Sequence, residues 1–266
     1  KEPSNERSIK IRNTIGSNNL YTNFTSLGGT NKRFSYYSFF NYKKGLGFRE
    51  NSEFSSQNFY LNLNLDFNKN LRLSSEFTYF TYLAKQAGGL TDRMFNQDPF
   101  QTNRKRNWFS VEWMLFNSKL LYQKKNYKYL INANIMNASR DALGFRSNRI
   151  DQVDPLTTRD LIKGEFNNFS LEGKYINENS FLFINSIFLL GTKYYQSSNY
   201  CSQGPGSAGL DANFSFIEEP YYPFQSSYHY PNKNISLFTE NVFYISKNLS
   251  VTPGLRYENI TTKSDG

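Results

Sequence analysis

The feature that most constrains the fold is a strict alternation of apolar and polar residues in segments of about ten residues. In the segment from Phe59 to Phe67, the odd-numbered residues are apolar, while Asn62, Asn64 and Asp66 lie between them. Successive side chains of a β-strand point to opposite faces. This segment is therefore predicted to be a strand with one apolar face and one polar face.

The same alternation recurs along the chain. In the next segment Leu71, Leu73 and Phe77 share one face, and the polar turn from Asn68 to Asn70 separates the two segments. Two alternating segments joined by so short a turn predict an antiparallel hairpin. Counted in this way, the sequence predicts about eleven strands, without helical periodicity or a domain boundary.

The lengths of the predicted connections indicate the topology. Short turns are predicted near residues 16–19, 68–70, 124–126, 177–179 and 246–248, and long polar segments near 44–55, 84–106, 144–164 and 196–232. Short turns at one end of the strands and long loops at the other are typical of an outer-membrane barrel, in which the long loops are extracellular.

The composition agrees with strands that contact lipid. The chain of 266 residues is 18% aromatic, yet its mean hydropathy is −0.66. Its most apolar run, from Phe181 to Leu190, is shorter than the roughly 20 residues of a membrane-spanning helix but long enough for a tilted strand. We therefore predict an all-β, antiparallel, up-and-down transmembrane β-barrel. The polar opening KEPSNERSIK is not a signal peptide, so we expect an internal segment of a longer protein.

Several other classes of function receive no support from the sequence. Cys201 is the single cysteine and His229 the single histidine, so no disulfide and no ordinary zinc site is expected. No catalytic motif is present, and the adjacent Glu218 and Glu219 would point apart on a strand. The net charge of +9 is scattered along the chain, which favours attraction of anions or lipid phosphates over nucleic-acid binding.

Three stretches resemble a known family. The first runs from Gly88 to Phe109 (GGLTD, then DP, then RKRNWF), the second is SRDALGF at 139–145, and the third combines SLFTEN at 236–241 with LSVTPGLRYE at 249–258. All three are similar to TonB-dependent outer-membrane receptors, and the first two to their ferric citrate (ferric dicitrate) transporter branch. The third is widespread in the superfamily and supports it more than the cargo.

This resemblance implies a 22-stranded barrel with an N-terminal plug inside it, in the outer membrane of a Gram-negative bacterium. It also implies energy supplied by the TonB–ExbB–ExbD complex through an N-terminal contact box. Residues 1–266 contain neither the plug nor the terminal strands, so they are expected to form about half of the barrel. Outer-membrane lipid and lipopolysaccharide are the other expected partners.

A ferric citrate complex is an anion rich in carboxylates, and arginine suits carboxylates because its planar fork can donate two parallel hydrogen bonds. No resident cofactor is expected, since the transported ligand is itself the Fe(III) chelate. Solvated loop charge, or contacts with lipopolysaccharide phosphates, is the alternative role of the arginines. The candidate ligand-binding residues are Arg93, Gln101, Arg104, Arg106, Arg140 and Arg146.

Aromatic residues after the first motif are predicted to mark a membrane interface. Trp108, Phe109 and Trp113 follow the long loop directly, where barrels carry girdles of aromatic side chains. His229 offers a heme ligand only weakly, because it has no companion. The rival functions are uptake of heme, a siderophore, cobalamin or an oligosaccharide by the same kind of barrel, and surface adhesion or carbohydrate binding by a β-protein without transport.

Overall fold

The computed structural model describes residues 6–181, 184–218 and 225–266. Within these ranges the chain forms one antiparallel sheet of twelve strands and one short helix. The elements are β1 (Ser8–Gly16), β2 (Leu20–Asn31), β3 (Phe34–Gly45), β4 (Phe54–Asn68), β5 (Leu71–Lys85), α1 (Asp92–Gln97), β6 (Trp108–Lys124), β7 (Tyr127–Gly144), β8 (Arg159–Phe181), β9 (Ile184–Gly206), β10 (Ser226–Ser246), β11 (Leu249–Val251) and β12 (Gly254–Thr262).

Each strand pairs with its neighbour in sequence, from β1 to β10, so the predicted up-and-down antiparallel sheet is confirmed. The last two strands, β11 and β12, both pair with β10. The break comes at Thr252 and Pro253, because proline has no amide hydrogen to donate to the ladder. No helix among the described residues is long and apolar enough to cross a membrane.

The register confirms the two faces predicted from the alternation. Leu61 lies opposite Phe77 on one face, and Asn62 lies opposite Glu76 on the other. Large exposed apolar side chains follow the first face across the sheet, for example Ile11, Phe116 and Leu237. We call this the apolar face and the side of Asn62 the polar face. The row from Phe59 to Phe67 is thus not sealed between two sheets.

The described residues have almost no conventional hydrophobic core. Only Ala84, Leu143 and Leu161 are buried apolar residues among them. A soluble domain of this size would bury far more apolar surface. An apolar face this broad, left open by its own chain, needs another apolar phase to cover it, as the bilayer does for outer-membrane strands.

Two of the predicted turns require correction. The chain also reverses at Lys32 and Arg33, between β2 and β3, so the turn at 17–19 lies at the end of the strands that carries the long loops. The turn predicted at 177–179 falls inside β8. β8 and β9 pair as far as Phe181 and Ile184, and residues 182–183 lie outside the described residues. The remaining short turns all lie at the opposite end, as predicted.

Candidate functional site

The long loops of residues 46–53, 86–107 and 145–158, and the described part of the loop after β9, residues 207–218, meet at one end of the sheet. Arg104, in the second of these loops, is only 5% exposed. Its guanidinium donates to the carbonyl oxygens of Asn103 (2.7 Å) and Gln152 (3.1 Å) and to the hydroxyl of Ser147, and it lies 5.2 Å from the ring centre of Phe145. Arg104 therefore joins the second loop to the third.

Arg106 makes a similar but wider junction. Its Nε donates to Asp154 Oδ2 at 2.9 Å, a second nitrogen pairs with Oδ1 of the same carboxylate, and Nη1 donates to the carbonyl oxygens of Thr157 and Ala208 at 2.8 Å each. Burial would raise the pKa of Asp154, but the hydrogen bond and charge of Arg106 and the amide of Leu156 outweigh it and hold that pKa below its usual value. Arg106 thus connects three loops.

Arg159, at the start of β8, was not singled out by the sequence. It is 1% exposed and donates to the carbonyl oxygens of Ser207 (2.6 Å), Arg106 (2.8 Å) and Asp211 (2.8 Å) and to the carboxylate of Asp211 (2.8 Å). Burial lowers the pKa of Arg159 from its ordinary, very high value. The hydroxyl of Ser207 and then Arg159 hold the pKa of Asp211 below its usual value.

Arg49, also missed by the sequence, connects the first loop to the second. It donates to the carbonyl oxygens of Gly88 at 3.0 Å and Gln101 at 2.9 Å. Asn51, with a backbone φ of +59°, donates from its side chain to the carbonyl oxygen of Arg104. We call Arg49, Arg104, Arg106 and Arg159 the loop junction, because together they hold all four long loops.

The other candidate ligand residues lie apart from this junction. Gln101 uses its amide to donate to the carbonyl oxygens of Met94 (2.6 Å) and Asp98 (3.1 Å), beside the helix that begins after the N-cap Thr91. Arg93 and Arg146 are exposed on the loops. Within the described ranges, neither guanidinium has a hydrogen-bonded or ionic partner.

Arg140 stands on the polar face of β7, four residues before the strand ends. It lies opposite Val111 on β6 and Gly164 on β8, and it shares its face with Asn132 and Asn134. It is exposed, and its guanidinium has no hydrogen-bond or salt-bridge partner in the described part of the chain. The structure therefore separates Arg140 from Arg104 and Arg106, whose donors already have partners.

The register divides the three aromatic residues that were predicted to form one interface. Trp108 lies on the apolar face of β6, as Phe116 does. Its indole donates to the carbonyl oxygen of Leu210 at 2.8 Å. Phe109 and Trp113 have the parity of Asn117 and lie on the polar face. Neighbouring residues of a strand cannot point the same way, so the grouping of Trp108 with Phe109 conflicts with the strand geometry.

The side chain of His229 points to the apolar face of the sheet from β10 and contacts neighbouring residues there. Its ring stacks on Tyr200, with centroids 4.3 Å apart and planes 7° apart, and its Nε2 lies 2.8 Å from Ser198 Oγ. No group of three or more potential metal ligands occurs among the described residues. The two aspartates of the third loop, Asp151 and Asp154, are in separate ion pairs, with Arg149 and with Arg106.

Deeper on the polar face, amide side chains form a hydrogen-bonded track. Asn64 donates to Asn62 at 2.7 Å, and Asn117 donates to Asn134 at 2.6 Å. Asn62, Asn64 and Asn117 line a depression of about 520 Å³ that Glu76, Lys119 and Glu172 also border. At the far side of the sheet Arg256 pairs with Glu258 at 2.5 Å.

The sequence contained only weak signals for the loop junction. Gly88, with φ +73°, lies so close to Arg104 that an added Cβ would stand 2.5 Å from Arg104 Cγ, and the first motif does contain both residues. Arg49 and Arg159 have no such neighbour in sequence. Their acceptors are mostly carbonyl oxygens of distant residues, which no side-chain pattern reveals.

No protein-family model and no curated protein sequence matches this chain, but solved structures do. The unliganded ferric citrate transporter FecA matches with a TM-score of 0.81 at 15% identity, over 100% of this chain and 39% of that one. BauA, the ferric preacinetobactin receptor of Acinetobacter baumannii, matches with a TM-score of 0.77 at 13% identity, over 99% and 43%. The ferric-catecholate import receptor Fiu of E. coli K12, in its closed form, matches with a TM-score of 0.77 at 10% identity, over 100% and 42%. The chain thus has the fold of a β-barrel segment from such receptors and spans less than half of their length.

Proposed function

We propose that this chain is part of an outer-membrane, TonB-dependent importer of an iron chelate. The observation that carries the proposal is the two-faced sheet, with exposed Ile11, Phe116 and Leu237 on one face and the amide track of Asn62, Asn117 and Asn134 on the other. Lipid contact on one side and a wet lumen on the other account for both faces. The fold similarity over the whole chain to solved iron-chelate receptors supports the same conclusion.

The proposed cycle begins with capture of the chelate at the end of the sheet where the long loops meet. The other steps, displacement of a plug and energy transfer from TonB–ExbB–ExbD, come from the resemblance to the family. The part of the cycle that these residues can perform is to bind an anion and to hold the loops around it. The outer membrane of a Gram-negative bacterium is the location that this function requires, with lipid and lipopolysaccharide around the barrel.

Ferric citrate is the cargo that the sequence motifs favour, and it is the first to be tested. Three of the candidate arginines, Arg93, Arg140 and Arg146, are exposed and available for its carboxylates. Arg104 and Arg106 already donate to loop acceptors. They would reach the ligand only if the loops rearranged.

The test is iron uptake by cells that carry the full-length gene and no other receptor for the same chelate. Radioactive iron supplied as ferric citrate is expected to accumulate, and deletion of the inner-membrane TonB is expected to abolish the uptake. Uptake of other chelates but not of ferric citrate would contradict the cargo and leave the import function standing. Absence of TonB-dependent uptake for every iron chelate would contradict the function itself.

A second candidate cargo is a chelate with aromatic groups, because Phe109 and Trp113 lie on the polar face of the sheet. A heme importer receives no comparable support, since Nε2 of His229 is beside Ser198. A soluble adhesion protein would fold without detergent or lipid. Because the apolar face is exposed, we expect this protein to need detergent or lipid in order to fold.

A further inference from the structure

A groove on the apolar face of the sheet runs across the strands from β7 to β10. Its volume is about 330 Å³, which lies within the range of about 300–1,000 Å³ that is usual for ligand sites. Thr192 also lines it, but its hydroxyl already donates to the carbonyl oxygen of Ser236 at 3.1 Å. The other residues that line it on this face are Tyr129, Ile131, Gly173, Tyr175, Leu190 and Leu237.

The groove is open because Gly173 has no side chain. Gly173 lies opposite Ile131 on β7 and Thr192 on β9. Among the described residues, a Cβ built on Gly173 would meet only Thr192 Cγ2, at 3.8 Å, whereas a Cβ built on Gly191 would overlap the ring of Phe238. The glycine at 173 is therefore not required by a close approach of the chain, and the space above it can hold part of a ligand.

The groove changes depth in the membrane along its course. Tyr129 lies four residues from Lys125 in the turn before β7, and Leu237 lies ten residues from Lys247 in the turn after β10. At about 3.3 Å per residue, these separations are about 13 Å and about 33 Å along the strands. Both turns belong to the short, periplasmic set. The groove therefore begins near the periplasmic interface at β7 and enters the hydrocarbon layer towards β10, as an acyl chain does.

Tyrosine rings surround the shallow end of the groove. The ring centre of Tyr129 lies 5.0 Å from that of Tyr175, 5.9 Å from that of Tyr127 and 6.2 Å from that of Tyr122. In the described ranges of the chain, none of these four hydroxyls has a hydrogen-bond partner. At a membrane interface the ring of a tyrosine is covered by apolar groups and its hydroxyl meets polar ones. The shallow end thus offers donors to the ester and phosphate oxygens of a lipid.

Two cations lie beside these tyrosines. Lys124 is opposite Tyr127 and shares its face, and Lys125 occupies the turn with a φ of +48°. Both lysines are exposed, and neither ammonium has an acidic partner in the part of the chain that the structure describes. Lys128, on the polar face, is instead paired with Glu178 at 2.7 Å. An apolar groove that ends at two unpaired cations is complementary to an acyl chain that carries an anionic headgroup.

We propose that this groove binds one anionic phospholipid, of the phosphatidylglycerol class, from the periplasmic leaflet of the outer membrane. One acyl chain lies over Gly173, and the phosphate is held by Lys124, Lys125 and the tyrosine hydroxyls. Lipopolysaccharide occupies the opposite leaflet, beside the long loops, so it does not reach this end of the strands. The inference rests on the placement of the barrel in the outer membrane and is independent of the cargo.

The test is native mass spectrometry of the full-length receptor, purified and delipidated in a non-ionic detergent. The receptor is titrated with phosphatidylglycerol, with phosphatidylethanolamine of identical acyl chains, and with lipid A, and the Kd of the first bound lipid is measured. Each lysine near the headgroup favours the anionic lipid about fivefold. Phosphatidylglycerol is therefore expected to bind about 5- to 25-fold more tightly than phosphatidylethanolamine.

Two substitutions separate the acyl chain from the headgroup. Gly173→Ile fills the groove at a position where the backbone accepts a side chain, and it is expected to weaken binding of both phospholipids about tenfold or more. Its matched control is Ala133→Ile, which adds the same bulk to the apolar face of β7 one row away from the groove.

Lys124→Gln is expected to weaken binding of phosphatidylglycerol about fivefold and to leave that of phosphatidylethanolamine unchanged. Its matched control is Lys247→Gln, which removes an exposed cation from another turn at the same end of the sheet. Both controls are expected to bind phosphatidylglycerol as the unmodified receptor does.

The assignment is overturned by equal affinities for the two phospholipids, by tighter binding of lipid A, or by variants that bind phosphatidylglycerol no more weakly than their controls. TonB-dependent iron uptake by the unmodified receptor is measured in parallel. A receptor that imports iron but does not select phosphatidylglycerol refutes only this inference. A receptor that selects the lipid but imports no iron chelate refutes only the proposed import.

Discussion

Replacement of Arg106 by methionine tests whether the loop junction holds the loops together. Methionine keeps a flexible, unbranched side chain that is two atoms shorter, and it loses all four hydrogen bonds to Asp154, Thr157 and Ala208. It leaves the carboxylate of Asp154, whose side chain is only 11% exposed, without its cation. The third and fourth loops then lose their common partner on the second loop.

The expected size of the effect follows from the burial of the pair. The Arg106 side chain is 4% exposed, so solvent screens the interaction little. Removing one partner of a buried ion pair costs about 3–5 kcal/mol, chiefly because the remaining charge is stranded. One factor of ten in an equilibrium corresponds to about 1.4 kcal/mol. The local opening of the loops should therefore become more frequent by about two to four orders of magnitude.

Hydrogen exchange of the loop amides measures this opening. Leu156 is a suitable reporter, because its amide donates to Asp154 Oδ1 at 3.0 Å. The matched control is Arg149→Met, since Arg149 is 76% exposed and pairs with Asp151 at 3.3 Å. Exposed pairs of this kind contribute about 0–1 kcal/mol, so exchange in the control should remain close to that of the unmodified protein.

A double substitution separates the stranded charge from the lost contacts. Replacing Asp154 by leucine in the Arg106→Met background removes the uncompensated carboxylate, and it should recover a part of the protection. If exchange in Arg106→Met equals that in Arg149→Met, the loops are held by other contacts and the reasoning about the junction is wrong.

Two further predictions concern the same loops. The pKa of Asp154 in the folded protein lies below its unfolded value of about 3.9. The ionised carboxylate therefore stabilises the loops fully above that value, and this stabilisation is lost as the pH falls through the lower, folded pKa. Protection of the Leu156 amide, corrected for intrinsic exchange, should be constant from about pH 7 to pH 5 and fall below about pH 4, and Asp154→Asn should abolish this dependence. Gly88→Ala places a Cβ 2.5 Å from Arg104 Cγ at a φ of +73°, so it should destabilise the second loop by at least about 1–2 kcal/mol and speed its proteolysis. Gly89→Ala, with its nearest atom at 3.6 Å, should not, and equal proteolysis of the two variants would contradict the explanation.

The faces of the strands were predictable because alternation is a local property. The odd residues from Phe59 to Phe67 share a face for any register, and the turn at 68–70 then fixes the pairing with β5. The missed reversal at Lys32 and Arg33 shows the limit. Lys32 adopts a φ of +55°, which favours glycine or asparagine, so the usual residue signal was absent. The opposed faces of Trp108 and Phe109 follow from the same alternation and were within reach of the sequence.

The roles of the arginines were not predictable from their spacing. Arg104 and Arg106 occur in a motif within the second long loop, and so do exposed residues such as Lys105. Whether a guanidinium is buried depends on carbonyl oxygens that the folded loops bring to it, such as that of Ala208 for Arg106. Every residue has a backbone carbonyl oxygen, so the residue type does not reveal which position accepts the hydrogen bond.

The positions of the arginines define where a ligand can be bound without disruption of the loops. A buried guanidinium that leaves its carbonyl and carboxylate partners strands them without hydrogen bonds, and this cost is subtracted from any gain with the ligand. Arg106 and Arg159 would each give up several such partners, whereas the exposed Arg140 has no protein partner to give up in the described part of the chain. An anion that enters between the loops therefore gains more at the polar face, about 10–13 Å below the end of β7 at 3.3 Å per residue, than at the loop junction. The junction then acts on binding through geometry, because it fixes the loops above Arg140.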